Sequence, residues 1–191
     1  MKQAEIQRRT KETDITIRLI PDSKELSIET GIGFFDHMLH ALLFYASWGA
    51  DICVKGDLHV DGHHTVEDTG IALGTALKEA LGDKTGIRRF ASARVPMDEA
   101  LAETVLDISG RPFLVFNAEM PREIIGAYDA CLTEEFMRAF AFAAGLTLHQ
   151  CCLYGTNAHH MTEALFKSLG LALRDAAVIV GDGVTSTKGV L

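Results

Sequence analysis

His63-His64-Thr65-Val66-Glu67 opens a segment in which Ile71, Leu73, Ala76, Leu77 and Leu81 recur at helical spacing. His159-His160-Met161-Thr162-Glu163 opens a second such segment, running to about Val178. The pattern His-His-x-x-Glu therefore stands twice in 191 residues, with its copies 96 residues apart from His63 to His159. Self-similarity at half the chain length points to a duplicated domain rather than a solenoid.

The order of elements upstream of each copy also repeats. Segments 3–10, 13–20 and 24–29 alternate apolar and polar residues, with Pro21-Asp22 between the second and third, and read as strands. A helix fits 34–44, and Gly31-Ile32-Gly33 before it reads as a turn. A strand fits 50–59, and the helix after the first signature stops at Gly82-Asp83. In the second half, strands fit 89–97, 100–109 and 112–119. A helix then fits 132–144, with Phe136, Phe140 and Ala143 on one face, and a strand fits 145–153 before the second signature. Residues 181–189 read as loop. Both halves, 1–87 and 88–191, thus follow the order β-β-β-α-β-α. The expected class is α+β: two small, largely antiparallel four-stranded sheets sandwich a layer of helices in one compact pseudo-symmetric unit.

Composition narrows the function. Hydrophobic residues make up 48% and charged residues 23%, as in an ordinary globular protein with a substantial core. A net charge of −8 and the lack of any basic cluster beyond Arg8-Arg9 and Arg88-Arg89 leave no electrostatic footprint for nucleic acid. The sequence shows neither a signal-peptide core nor a run of membrane-spanning length. Cys53, Cys131, Cys151 and Cys152 have neither Cys-x-x-Cys spacing nor a disulfide framework, which points to a reducing cytoplasm and to cysteines that serve as small core or interface residues.

The signatures suggest metal. On a helix, His63 and His64 can each share a face with Glu67, but adjacent side chains diverge by about 100°. Two neighbouring histidines therefore suit two different ions better than one. The glutamate also offsets the positive end of the helix, which would otherwise repel a cation. A shell of nitrogen and oxygen without cysteine suits manganese, iron, cobalt or zinc. His37 or His40 could supply an outside ligand, and Glu135 occupies the place of His37 in the second half. His59 and His149 fall on expected strands and read as structural. Arg89, Arg111 and Lys188, the last beside Ser186 and Thr187, are candidates for gripping an anion.

Phe35-Asp36-His37-Met38-Leu39, His-His-Thr-x-Glu-Asp at 63–68, Leu106-Asp107-Ile108-Ser109-Gly110-Arg111-Pro112, His-His-x-x-Glu-Ala-x-Phe-Lys at 159–167 and the terminal Ser-Thr-Lys-Gly together resemble the imidazoleglycerol-phosphate dehydratase family, from about Arg8 onward. The resemblance implies conversion of D-erythro-imidazole glycerol phosphate to imidazole acetol phosphate and water, in histidine biosynthesis. It further implies two Mn2+ ions per active site and a homo-oligomer of 24 subunits built from trimers, with sites at subunit interfaces. Carried onto this chain, the metal ligands are His37, His63, His64, Glu67, Glu135, His159, His160 and Glu163; some relatives have His in place of Glu135. Glu12, in a turn between strands, is implied as the acid/base, and it contacts substrate together with Arg89, Arg111, Ser186, Thr187 and Lys188.

The chemistry is coherent with those ligands. The hydrogen to be removed is not next to a carbonyl, so enolate chemistry is closed. A cation on the substrate's imidazole would favour loss of its N–H proton. The ring anion would expel the neighbouring hydroxyl to give a diazafulvene, and loss of the adjacent C–H proton would give an enol that becomes the ketone. Judged on ligands alone, a dinuclear metal hydrolase and a metal-storage or scaffold protein compete with this reading. A hydrolase needs no imidazole in its substrate, and storage needs no phosphate grip.

Overall fold

In a computed structural model, residues 1–189 are described and form two four-stranded sheets with helices between them. In the first sheet, β1 (Ala4–Arg9) pairs antiparallel with β2 (Thr13–Ile20), and β2 pairs antiparallel with β4 (Gly49–Gly56). β3 (Leu26–Glu29) runs parallel to β4, because α1 (Gly33–Ala46) carries the chain back across the sheet. α2 (His63–Leu81) closes the half. The second half repeats the plan. β5 (Phe90–Met97), β6 (Ala100–Asp107), β10 (Thr147–Tyr154) and β7 (Phe113–Asn117) lie in that order, and β7 is parallel to β10 across α3 (Leu132–Ala144). α4 (Ala158–Ala177) ends the fold.

Alternation sets the inner faces. Thr13, Ile15, Ile17 and Leu19 of β2 are all buried, and the residues between them are exposed. Each helix rests on its own sheet and on a helix of the other half: α1 against α4, α2 against α3. One core therefore serves both halves, and its centre is a run of aromatic rings. Phe35 of α1 meets Phe136 of α3 at 5.5 Å between centroids, and Phe136 stacks on Phe166 of α4 at 5.0 Å.

The sequence expectations fail at a few points. The strand expected over 50–59 ends at Gly56, and His59 lies in a turn, not a strand. A Cβ at Gly56 would come within 2.0 Å of Thr65 Oγ1, so the chain turns toward α2 at that point. The strand expected over 112–119 covers only Phe113–Asn117, since Pro112 has no N–H to pair. A small hairpin, β8 (Ile124–Ile125) with β9 (Tyr128–Asp129), precedes α3; its two-residue strands are too short to show a period. The cysteines are not core residues: Cys53 and Cys131 are exposed, and Cys151 and Cys152 are half-buried. No helix among the described residues is long and apolar enough to cross a membrane.

The crossings between halves depend on two glycines at the same offset from their signatures. A Cβ on Gly74 of α2 would sit 2.5 Å from Phe140 O of α3, and one on Gly170 of α4 would sit 2.3 Å from Leu42 O of α1. Backbone atoms cannot yield as a flexible side chain does. Gly170→Ala is therefore expected to destabilise the protein by about 1–3 kcal/mol through overpacking. At an open helical site the same change would stabilise by up to about 1 kcal/mol. Denaturant unfolding distinguishes these signs, and an unchanged or raised midpoint would show that the crossing has room to spare.

Candidate metal and anion sites

Close approach of α1 and α4 brings together residues from the two halves. Asp36 anchors the start of α1 by accepting hydrogen bonds from Thr30 N (2.8 Å) and Thr30 Oγ1 (2.6 Å). His37, the next residue, places Nε2 3.3 Å from Glu163 Oε2, and His159 Nε2 lies 3.1 Å from the same oxygen. The three donor atoms lie within 4.8 Å of one another. Phe34 packs edge-on against His159 at 4.8 Å between centroids and helps to hold the ring. Glu163 itself is buried, and its other oxygen pairs with Lys167 Nζ at 2.7 Å. Burial pushes the Glu163 carboxyl up, but the Lys167 hydrogen bond and charge, followed by His37, outweigh it and hold it below the usual range. Two imidazole nitrogens and one carboxylate oxygen converging in this way fit a divalent ion of borderline-to-hard character.

The topologically equivalent end, where α2 meets α3, is more open. His63 Nε2 stands 3.9 Å from Glu67 Oε2. Glu135, in the first turn of α3, lies 3.8 Å from Arg138 Nε and does not join a cluster with His63 or Glu67. His40 is not drawn into either group; it stacks on Phe44, with 6.2 Å between the rings. His149 lies on β10.

Within each signature the second histidine turns away from the first. The rings of His63 and His64 are 86° apart in plane, and those of His159 and His160 are 75° apart. His64 Nδ1 meets Asp57 at 3.0 Å, and His160 Nδ1 meets Glu99 at 2.7 Å. These hydrogen bonds are the main cause of the raised pKa of both imidazoles. Glu99 is held at about 2, first by His160 and then by the N–H groups of Asn157 and Thr156. Glu12 occupies the β1–β2 turn, 3.8 Å from His64 Nε2. Asp68 fixes that turn: its carboxylate accepts from Arg8 Nη2 (2.7 Å) on one flank of Glu12 and from Thr13 Oγ1 on the other. Asp57, Glu99 and Lys167 therefore make direct contacts with the candidate ligands, and Asp68 with the turn that carries Glu12, beyond the eight residues expected as ligands. Only Asp68 and Lys167 carry a linear signal, since both extend the signatures.

The anion candidates gather elsewhere, around Asp107. Arg89, with a left-handed φ of 77° and a nearly buried side chain, donates from Nε (2.7 Å) and Nη2 (3.0 Å) to the two oxygens of Asp107. Its Nη1 donates to Thr185 O at 2.7 Å and so ties down the tail that carries Ser186, Thr187 and Lys188. Arg111 Nη2 approaches Asp107 at 3.6 Å, with its side chain largely exposed. Arg89 N also donates to Ala176 O, at the far end of α4 from His159. That separation is about 25 Å at the rise of an α-helix.

The fold and these groups define an internally duplicated α+β protein that brings histidines and a carboxylate from its two halves into one candidate metal site. The family model for imidazoleglycerol-phosphate dehydratase matches residues 30–173. The chain is 54% identical to the imidazoleglycerol-phosphate dehydratase of Lacticaseibacillus casei, over 100% of both chains. It is 53% identical to that of Acetivibrio thermocellus, over 98% of this chain and 97% of that one. The crystal structure of the Staphylococcus aureus enzyme superposes with a TM-score of 0.83 at 40% identity, covering 91% of this chain and 97% of that chain. The Pyrococcus furiosus structure gives 0.86 at 40% identity, covering 97% of this chain and 100% of that chain. The chain belongs to the imidazoleglycerol-phosphate dehydratase family, a family of hydro-lyases.

Asp107 compensates a nearly buried guanidinium, and removing its charge should be costly. Asp107→Asn is expected to lower stability by about 3 kcal/mol, as for a buried ion pair broken on one side. It should also release the tail, so that limited proteolysis clips residues 181–189 sooner than in the parent. Parent-like unfolding and parent-like cleavage would show that Arg89 does not depend on this partner.

Proposed function

We propose that this protein dehydrates D-erythro-imidazole glycerol phosphate to imidazole acetol phosphate in histidine biosynthesis, through the diazafulvene route set out above. The observation that carries this reading is the convergence of His37, His159 and Glu163, contributed by both halves of a chain with full-length relatives of that name. His63, His64, Glu67, Glu135 and His160 complete the proposed ligand set, with halves 1–87 and 88–191 each contributing four of the eight. Two Mn2+ ions are the proposed occupants; bound to the substrate's imidazole, they would supply the positive charge that favours loss of its ring proton.

The chain's own groups account for the rest. Glu12 projects from a turn pinned on both flanks by Asp68 and carries the proton to and from the side-chain carbons. Arg111, with its side chain largely exposed, is open to a phosphate, and Arg89 holds the tail from which Ser186, Thr187 and Lys188 reach the same group. The anion grip lies one helix length, about 25 Å, from His159 in the same chain. A three-carbon substrate cannot span that distance. This supports a site completed by another subunit, within a homo-oligomer of 24 chains built from trimers. We place the protein in the cytoplasm, in keeping with four unpaired cysteines.

Turnover of imidazole glycerol phosphate is expected to vanish on complete chelation and to return with Mn2+; turnover that survives metal removal would sink the proposal. Glu12→Gln should lower kcat by about 10²–10⁴-fold, the range for a lost acid/base group. Its metal content and particle mass should stay at parent values. Sharing of sites between chains has its own check. Glu163→Ala and Arg111→Ala chains, each inactive alone, should recover turnover when reassembled together. No recovery in mixed particles of parent mass would place the whole site in one chain.

A further inference from the structure

The second histidine of each signature meets a carboxylate at Nδ1. His64 Nδ1 lies 3.0 Å and 3.2 Å from the two oxygens of Asp57, and His160 Nδ1 lies 2.7 Å from Glu99 Oε2. An ionised carboxylate only accepts, so the ring proton sits on Nδ1 and the lone pair of the neutral imidazole is on Nε2. The two carboxylates are not products of the duplication. Asp57 follows β4 in the loop before α2, whereas Glu99 belongs to the turn between β5 and β6. The same pairing is thus made twice, from unrelated places in the fold.

Glu99 is oriented by more than the ring. Its Oε1 accepts from Asn157 N (2.8 Å) and Thr156 N (3.1 Å), which leaves Oε2 for His160. Asn157 in turn caps α4 by accepting from the N–H groups of His159 (2.9 Å) and His160 (3.2 Å). Asp57 has no such second duty, since its side chain hydrogen-bonds only to His64 among the described residues.

We propose that Asp57 and Glu99 are positioning residues that lock His64 and His160 in the Nδ1–H tautomer and so present each Nε2 lone pair to a divalent metal ion. This rests on the reading of His64 and His160 as ligands. A carboxylate behind a ligating imidazole also fixes ring orientation and raises its basicity, and losing such a partner weakens metal binding roughly 10–100-fold.

The difference between the two carboxylates predicts different responses. In Glu99→Gln, the amide oxygen stays with the loop N–H groups, so the NH2 faces Nδ1. An NH2 group only donates, so the ring proton is driven to Nε2, where the lone pair is needed. In Asp57→Asn, nothing prevents the amide from turning its oxygen to Nδ1, and the tautomer survives.

Binding of Mn2+ to the metal-stripped full chain, followed through the electron paramagnetic resonance of free Mn2+, tests this. Glu99→Gln and Asp57→Leu are each expected to weaken one class of ion roughly 10–100-fold. Asp57→Asn is expected to change affinity by less than about threefold, well short of that range. In a His160→Ala background, Glu99→Gln should cause no further loss. Parent affinity in Glu99→Gln, or an equal loss with and without His160, would overturn the proposal, the second outcome making Glu99 a support for the loop alone. A parent protein that binds no Mn2+ would overturn the ligand reading itself, and this inference with it.

Discussion

The site depends on how closely α4 can approach α1. With only hydrogen on Gly170, the two backbones meet where a methyl group would lie 2.3 Å from a carbonyl oxygen. That approach carries His37 of the first half to within 3.3 Å of Glu163 of the second. A duplicated domain whose halves kept their helices apart would hold two incomplete signatures and no shared cluster. Packing at this crossing thus does what no single stretch of chain could do, because the residues it joins are 126 positions apart. Gly74 plays the same part between α2 and α3, where His63 and Glu67 stand further apart and Glu135 leans toward Arg138.

Electrostatics determine what such a crossing can hold. A carboxylate as buried as Glu163 would favour its neutral form without partners. Lys167, one turn along the helix, neutralises one oxygen and keeps the group ionised, which leaves Oε2 to His37 and His159. Asp107 serves the opposite charge in the same way by balancing Arg89. Each chain thus keeps a stabilised anion at one end of α4 and a stabilised cation at the other. The separation between them is the physical reason to expect subunits to cooperate.

The element order and the count of four strands per sheet were legible because alternation and helical spacing are properties of contiguous residues. The divergence of adjacent histidines was legible for the same reason, being a property of helix geometry. Which helix would face which was not. The meeting of His37 with His159 and Glu163 depends on packing between halves. The roles of Asp57 and Glu99 depend on loops that reach the rings through space. Arg89 reads in the sequence as a candidate for anion recognition, whereas its pairing with Asp107, 18 residues further along the chain, depends on how β5 and β6 lie side by side. The β8–β9 hairpin is too short to show a period, and β4 ends at Gly56, where a side chain would meet Thr65 of α2, a residue nine positions further along the chain.

The most direct test is a crystal structure of the Mn2+-loaded protein with a phosphorylated imidazole ligand, with the ions located by anomalous scattering at the manganese edge. One ion should lie among His37, His159 and Glu163, and the ligand's phosphate should rest on Arg111 and the tail of a neighbouring subunit. Manganese found away from these residues, or a phosphate held by the same chain that binds the ions, would contradict a site built across two halves and completed by a second chain.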